Sequence, residues 1–174
     1  MNEVLSAIKS RRSIKKFKPE VPVAPELIEQ IIEAGLYAAN GMNEQAAIIV
    51  AVTDRDVLAK LSKVNAEIKG VTSDPFYGAP AVLIVLARKT RLTRVEDGSL
   101  VMGNLMLAAH SLGVGSCWIH RARETFEMPE WQEWLKAIGV EGDYIGVGHC
   151  ALGYPAMDYP KAPKRRENRV FYVK

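Results

Sequence analysis

Residues 10–17 read Ser-Arg-Arg-Ser-Ile-Lys-Lys-Phe, and we take this cation stretch as the feature around which the chain is organised. It places four cations and two hydroxyls within eight residues, directly after a short apolar-periodic segment. Arginine offers forked donors, lysine a point charge and serine a compact hydroxyl, a combination that suits a phosphate dianion. Cations after a helix also offset the negative end of its dipole. The stretch alone leaves both interpretations open.

The composition is that of an ordinary globular protein. The chain has 174 residues, of which 48% are hydrophobic and 25% charged, and this length predicts one domain over residues 1–174. The net charge of +3 is scattered, whereas a dedicated nucleic-acid binder usually shows a concentrated basic face. No apolar run is long enough to cross a bilayer and no secretory leader is visible. We therefore expect no nucleic-acid or membrane partner and a cytoplasmic location.

Cysteines and histidines give no sign of a disulfide framework or a metal site. Two cysteines, Cys117 and Cys150, fit a reducing compartment. The histidines His110, His120 and His149 have neither the short helical spacing nor the cysteine partners of a zinc site. We expect no metal, and no catalytic triad can be argued from the residues.

Capping residues and hydrophobic periodicity predict the elements of the first half of the chain. Asn2 and Asp54 are favourable N-caps, and Pro25 suits the first position of a helix. A continuous β-branched run over 81–87 is typical of a central strand buried on both faces. The predicted elements are helices over 3–10, 25–40 and 55–69, and strands over 47–53 and 81–87.

The second half predicts a long buried helix and further strands. Residues 96–112 are apolar nearly all round, which places this helix in a core or a subunit interface. The remaining predicted elements are an extended segment over 113–119, helix within 125–138, and strands over 144–152 and 170–173. Since helices and strands are interspersed without strict βαβ alternation, we expect an α+β sandwich of helices around one sheet.

Four short motifs occur in an order that carries more information than any of them alone. They are Arg11–Phe17, Asn43-Glu44-Gln45, Gly113–Ile119 after an apolar helix, and Gly153-Tyr154-Pro155 before a basic tail. Together they resemble the nitroreductase family of FMN-dependent oxidoreductases, with its Arg-Arg-Ser-x-Arg/Lys-x-Phe signature and its Asn-x-Gln after the second helix. The resemblance spans almost the whole chain.

The resemblance implies a fold, an assembly and an activity. The fold is an α/β/α sandwich with one mixed or antiparallel sheet, in an intertwined homodimer that holds FMN at the subunit interface. The helix over 96–112 is our candidate for the centre of dimer packing. The activity is ping-pong electron transfer from NAD(P)H to an electron-poor acceptor such as a nitroaromatic or a quinone. The flavin carries the chemistry, so no protein acid or base is named.

The resemblance also implies the residues that hold FMN. Arg11, Arg12 and Ser13 would meet the phosphate, which carries about two negative charges near neutral pH. One of the tail cations would help from the far end of the chain, and which one stays open. These tail cations are Lys164, Arg165 and Arg166. Lys15 would lie beside N1 and the C2 carbonyl of the ring, where a cation favours hydride acceptance.

Two further groups would contact the ring itself. Asn43 and Gln45 carry amides that donate and accept, matching the mixed polar edge of the isoalloxazine. Backbone groups in the run Cys117, Trp118, Ile119 and His120 would approach its far side. Each group also has an ordinary interpretation: a turn residue for Asn43, core packing for Cys117 and Trp118, and a solvated run for the tail cations.

The chain departs from the family pattern at two places, and other functions stay open. Ala46-Ala47 stand where the family often has Pro-Trp, and His120-Arg121 stand where many members have a small or acidic residue. The first departure predicts a more open wall of the substrate pocket. The second places two bulky cationic groups near the flavin, which leaves the substrate class open and favours anionic acceptors. Alternatives are another reductive branch of the family, dehalogenase-like or flavin-degrading, and a non-enzymatic flavin- or polyanion-binding module.

Overall fold

The computed structural model describes residues 2–174, in which helices and strands are interspersed. The helices are α1 Glu3–Ser10, α2 Pro25–Leu36, α3 Arg55–Lys69, α4 Arg94–Ser111, α5 Ala122–Glu127 and α6 Pro129–Ala137. The strands are β1 Ala47–Val52, β2 Ala81–Arg88, β3 Gly115–Ile119 and β4 Tyr144–Gly153. Each predicted helix is confirmed, although α2 ends earlier than expected and the region 125–138 divides between α5 and α6.

The four strands form one antiparallel sheet in the order β1-β2-β4-β3. All residues of 81–87 are buried, which confirms that β2 is a central strand covered on both faces. The strands β1 and β3 lie at the two edges of this sheet.

Helices cover both faces of the sheet. Successive side chains of each strand point to opposite sides, so the apolar strands present a hydrophobic surface on each face. On one face, Leu83 and Val85 belong to a core that includes side chains of α2 and α4. On the other face, Ile84 and Leu86 belong to a core that includes side chains of α3, α5 and α6. The expected α+β sandwich of helices around one sheet is thereby confirmed. Within residues 2–174, no helix is both long and apolar enough to cross a membrane.

Side-chain caps fix two helix starts where the sequence predicts them. The Oδ1 of Asn2 accepts a hydrogen bond from the Leu5 amide at 2.9 Å. The Oδ1 of Asp54 accepts from the amides of Asp56 and Val57 at 3.1 and 2.9 Å. Each cap satisfies amides that have no partner inside the helix.

The predicted strand over 170–173 is wrong. After β4 the tail, residues 154–174, contains no regular strand, and Val173 is fully exposed. The β-branched and aromatic pattern of Val170–Val173 describes side chains that suit a strand, but a strand also needs a neighbouring backbone. In the described part of one chain, these residues pair with no such neighbour.

Candidate functional site

The cation stretch is fixed on the β3 edge of the sheet by its apolar members. The Ile14 amide donates to the Ser116 carbonyl at 3.0 Å, and Ser13 pairs in parallel with Ser116. Phe17 pairs with Pro155 just after β4. Ile14 and Phe17 are 0% and 3% exposed, whereas the polar members of the stretch remain exposed or half-buried. The backbone that carries the cations is therefore held in one place.

Two motif glycines allow this close approach. A Cβ on Gly115 would lie 3.0 Å from Ile14 Cγ1, and one on Gly153 would lie 3.0 Å from Phe17 Cδ1. A Cβ on Gly153 would also meet Pro80 at 2.7 Å, closer than real Cβ contacts allow. The absence of side chains at these positions lets the cation stretch pack on the ends of β3 and β4.

The guanidinium groups of Arg11 and Arg12 are half-buried and carry unused donors. Arg12 Nη1 donates to the Lys9 and Arg11 carbonyls at 2.9 and 2.6 Å. Arg11 Nη1 and Arg12 Nε are buried without an acceptor among residues 2–174. A buried donor without a partner costs free energy, and a charged donor costs more than a neutral one. The chemistry of these donors fits an anionic group such as a phosphate.

His110, to which the sequence analysis gave no role, lies beside this cluster. Its Nε2 lies 2.7 Å from Ser10 Oγ, and its ring centroid lies 5.8 Å from that of Tyr159. Burial lowers the pKa of His110, and the positive charges of Arg11 and Arg12 lower it further. His110 therefore stays neutral near neutral pH. No sequence spacing could reveal it, since Ser10 is 100 positions away.

Cys117 lies beneath the cation stretch as a buried thiol. Burial raises its pKa, while the Lys15 charge, a hydrogen bond with Ser13 and the Arg11 charge act in the opposite direction. This thiol is therefore close to the stretch but is not a nucleophile near neutral pH. Burial likewise raises the pKa of Cys150 to about 12. Cys117 and Cys150 belong to cores on opposite faces of the sheet, and both are free thiols.

The rest of the run from Cys117 to His120 alternates between the two faces of β3. Ile119 is buried, His120 is exposed, and Trp118 is half-buried on the α4 side. A Cβ on Gly148 would lie 2.5 Å from Trp118 Nε1, so this glycine makes room for the indole. In the described part of the chain, Trp118 Nε1 is buried without an acceptor. Arg121, which follows His120, is half-buried, and its Nε also lacks an acceptor in the described part of the chain.

The polar loop, residues 40–46, has an unusual backbone. Met42, Asn43 and Gln45 have φ values of 54°, 55° and 48°, in the left-handed region that residues other than glycine seldom adopt. Such strain persists only where the surroundings hold it, and it concentrates at functional sites. Asparagine adopts this region readily in turns, so the strain is larger at Met42 and Gln45, and the roles of Asn43 and Gln45 stay predictions.

The surroundings that hold this loop come mainly from the start of α4. Asp97 is 3% exposed, and its carboxylate accepts from the Gly41 amide and the Thr93 hydroxyl, both at 2.9 Å. Glu44 forms an ion pair with Arg91 at 2.8 Å. Sequence reasoning missed Asp97, because an acidic residue in the first turn of a helix is common and its loop partner is 56 positions away.

The loop and the cation stretch lie at opposite ends of α4. The loop contacts Asp97 in its first turn, and the stretch contacts His110 in its last turn. From Asp97 to His110 the axis of α4 rises about 20 Å, at roughly 1.5 Å per residue. One chain therefore does not bring Asn43 and Gln45 together with Arg11, Arg12 and Ser13.

The tail begins beside the cation stretch and then leaves it. The Lys18 amide donates to Tyr154 O at 3.0 Å, the Ala156 amide donates to Lys16 O at 2.9 Å, and Tyr159 then packs on His110. The basic run Lys164–Arg166 is exposed, and Lys164 Nζ lies 3.4 Å from Glu167. Among residues 2–174, no group of histidine, cysteine and acidic side chains is arranged to hold a metal ion.

Comparison with known proteins places this arrangement in a family. The family model for the nitroreductase family matches residues 8–154, which include the cation stretch, the polar loop and all four strands. The chain belongs to the nitroreductase family. This match confirms the resemblance that the four motifs suggested.

Solved nitroreductases share the whole fold. A nitroreductase with bound FMN from Bacteroides fragilis is 30% identical, each chain covers 100% of the other, and the TM-score is 0.87. A nitroreductase with bound FMN from Desulfitobacterium hafniense is 26% identical, again with 100% of both chains covered, and the TM-score is 0.88. The α+β fold with one antiparallel sheet flanked by helices is thus the fold of these FMN-bound nitroreductases.

Relatives within the nitroreductase family carry names of NAD(P)H-dependent reductases. A Methanothermobacter thermautotrophicus protein named NADH dehydrogenase/NAD(P)H nitroreductase is 32% identical over 169 residues, covering 88% of this chain and 78% of the relative. The NADPH-flavin oxidoreductase of Vibrio harveyi is 32% identical over 176 residues, covering 94% of this chain and 70% of the relative.

Proposed function

We propose that this nitroreductase-family chain binds FMN and transfers electrons in a ping-pong order from NAD(P)H to an electron-poor acceptor such as a nitroaromatic or a quinone. The observation that carries the proposal is the pair of half-buried guanidinium groups on a fixed backbone. Arg11 Nη1 and Arg12 Nε are donors without a protein acceptor among residues 2–174, and they fit the phosphate of FMN. Bound there, FMN supplies the two-electron chemistry that links donor and acceptor.

The chain's own residues bind, orient and set the charge of this site. Arg11, Arg12 and Ser13 hold the phosphate, with the exposed Ser13 hydroxyl as a third donor. Lys15, close enough for its charge to act on Cys117, adds positive potential further along the same backbone. The backbone of Trp118 to His120 at the sheet edge forms one wall. No side chain near this wall is needed as a proton donor or nucleophile.

We also propose that the site is shared between two subunits of a homodimer. Asn43 and Gln45 lie about 20 Å along α4 from the phosphate donors, at roughly 1.5 Å per residue. Antiparallel packing of α4 from two chains brings the polar loop of one subunit to the cation stretch of the other. FMN then binds at the interface, with Asn43 and Gln45 supplied by the subunit that does not hold the phosphate.

Exposed apolar side chains support this packing. Large apolar residues of α1 and α4 face solvent in the isolated chain, and a dimer removes this surface from water. They are Val4, Leu5, Ile8, Val95 and Leu100. The tail adds a second exposed apolar segment, Val170–Val173, which we propose packs on the partner. The tail cations, Lys164–Arg166, would then approach the shared site from across the interface.

The colour of the purified protein tests FMN binding directly. A yellow preparation that releases FMN on denaturation is the expected result. Anaerobic mixing with NADH and NADPH in a stopped-flow instrument should bleach the flavin absorbance, and a panel of nitroaromatics and quinones should restore it. Parallel lines in double-reciprocal plots would establish the ping-pong order. A colourless protein with salt-sensitive DNA binding would instead favour a polyanion-binding module.

Light scattering after gel filtration tests the dimer. We expect about twice the chain mass of 19.2 kDa at working concentration. Leu100→Glu, on the exposed face of α4, should shift the protein towards the monomer and release FMN. Leu92→Glu is the matched control, since Leu92 is exposed in the connector before α4. A wild-type monomer that retains FMN would contradict the shared site.

A further inference from the structure

His110 occupies a position where three segments of the chain meet. It lies in the last turn of α4, its Nε2 contacts Ser10 at the end of α1, and its ring packs against Tyr159 of the tail. Arg12 reaches the same last turn of α1 through its hydrogen bond to Lys9 O. The imidazole and the proposed phosphate donors therefore share one small region.

The hydrogen bonds around Ser10 assign the tautomer of His110. The Ser10 hydroxyl has one hydrogen, and its Oγ lies 2.8 Å from Ser6 O, an acceptor that has no hydrogen to give. The hydroxyl therefore donates to Ser6 O, and His110 Nε2–H donates to Ser10 Oγ at 2.7 Å. This leaves Nδ1 of the neutral imidazole as the atom that can accept a further proton.

The charges facing His110 keep it neutral while the site holds no anion. Arg11 and Arg12 approach from the segment after α1, and the aromatic ring of Tyr159 faces His110 from the tail. The C-terminal end of the α4 dipole favours a cation, but by a small amount that falls off within one turn. Partial burial and two guanidinium charges outweigh it.

We propose that His110 takes up a proton when a phosphate group binds between Arg11 and Arg12, so that the affinity of this site for phosphate rises as the pH falls below neutral. The proton comes from solvent and is held on Nδ1. The inference rests on the proposed function for two points, the phosphate site at Arg11 and Arg12 and FMN as the natural carrier of the phosphate. His110 is a positioning residue. When protonated, its positive charge stabilises the bound anion together with the charges of the two arginines.

The physical reason is a change in local charge. A bound phosphate brings about 1.5 to 2 negative charges to a site that previously held two unpaired cations. The field that opposes protonation of His110 is removed, and a third cation is favoured. Each pH unit by which phosphate binding raises the pKa of His110 tightens binding by up to about tenfold. The full gain is reached once the pH is below the pKa of His110 in the phosphate-free protein.

Nuclear magnetic resonance of the three histidine rings, recorded on flavin-free protein, tests the proton uptake with inorganic phosphate as the probe. His110→Gln assigns the His110 signal by its loss. At constant ionic strength, phosphate should raise the pKa of His110 relative to chloride, while the signal of the fully buried His149 should not move. An unchanged His110 titration in saturating phosphate would overturn the inference, whatever the protein does with FMN.

The dissociation constant of FMN between pH 5.5 and 8 provides the second test. His110→Gln keeps a side-chain donor but cannot titrate, and the pKa of the FMN phosphate near 6 affects both proteins equally. The ratio of the variant constant to the wild-type constant should be near one at pH 8 and severalfold larger at pH 6. Lys60→Gln, an exposed site on α3, should follow the wild type at every pH.

The two tests separate the two proposals. Equal pH profiles for wild type and His110→Gln would overturn the role of His110 while leaving FMN binding intact. Failure of wild type to bind FMN at any pH, together with a phosphate-dependent shift of His110, would overturn the proposed cofactor while supporting the proton uptake.

Discussion

The chain has two basic runs, and the structure treats them in opposite ways. Residues 11–16 contain four cations on a backbone that is fixed to the sheet. Residues 164–166 contain three cations on an exposed tail. The exposed run has the higher density of charge, so charge does not explain why the other run is fixed.

The difference comes from the apolar residues between the cations. Ile14 and Phe17 are spaced so that both enter the core, and glycines at 115 and 153 leave room for them. The apolar residues that follow the basic run in the tail, Val170–Val173, are 66–101% exposed in the isolated chain. A basic run forms a defined anion site when its neighbours can be buried, since burial offsets the entropy of ordering long side chains.

The largest effect should follow loss of the fixed cations. Arg11→Gln/Arg12→Gln removes two charge-assisted contacts to the proposed phosphate, each contributing about 1.5–3 kcal/mol. We expect FMN affinity to fall by at least about 100-fold. Flavin fluorescence on titration of FMN measures this. Retention of FMN by the double variant would remove the phosphate assignment and the contrast between the two runs.

The apolar anchor should matter for stability as much as the cations matter for binding. Ile14→Ala leaves a cavity in a fully buried site and should lower the free energy of unfolding by about 2–5 kcal/mol. Urea denaturation followed by tryptophan fluorescence measures this. Leu92→Ala, at an exposed position also close to cations, should change it by less than about 0.5 kcal/mol. Similar losses in both variants would show that the anchor is not what distinguishes the runs.

The histidines offer a second comparison between a buried and an exposed group, His149 and His120. His149 is fully buried against Phe76 and Phe126, and burial lowers its pKa to about 3, outweighing the opposing influence of the Ile119 backbone. Because the unfolded chain binds this proton near pH 6.5 and the folded chain does not, stability is lost as the pH falls from about 6.5 towards 3.

This loss can be measured by removing the buried histidine. At pH 5 it amounts to about 2 kcal/mol relative to pH 8. His149→Leu should flatten this part of the dependence of unfolding free energy on pH by that amount. His120→Gln, at an exposed histidine, should leave the slope unchanged. An equal slope in wild type and His149→Leu would contradict the assignment.

The smallest effects should come from the exposed run. Single changes of Lys164, Arg165 or Arg166 to Gln should weaken FMN binding by less than about 1 kcal/mol each, because exposed ion pairs contribute little. The effect should fade further with added salt. A loss of 100-fold or more from one of these changes, measured in the same fluorescence titration, would show that the tail holds the phosphate as firmly as the cation stretch does.

Sequence reasoning could recover most of the fold. The caps at Asn2 and Asp54 and the continuous apolar run of β2 are local signals, and each marks an element within a residue or two. The end of α2 at Leu36 was missed, because Tyr37 to Asn40 continue a helix-compatible pattern while the strained loop imposes its own backbone. The strand over 170–173 was wrong because pairing is decided outside the segment.

The site was harder to predict, because its supporting contacts are far apart in sequence. Asp97 holds the polar loop, and His110 borders the cation stretch. Neither residue belongs to a motif. The motifs marked the residues expected to face FMN, but they gave no indication that those residues lie at opposite ends of one helix. The roles of the motif residues in binding FMN remain predictions for the experiments above.

The length of α4 has a genetic consequence if each centre is shared between two subunits. A subunit with Arg11→Gln/Arg12→Gln and a subunit with Asn43→Ala should each form inactive homodimers. In the mixed dimer, one FMN site contains both sets of substitutions, while the other site combines unchanged phosphate donors from one subunit with an unchanged polar loop from the other. Two inactive copies of the protein, produced in the same cell, should then restore activity at one centre of every mixed pair.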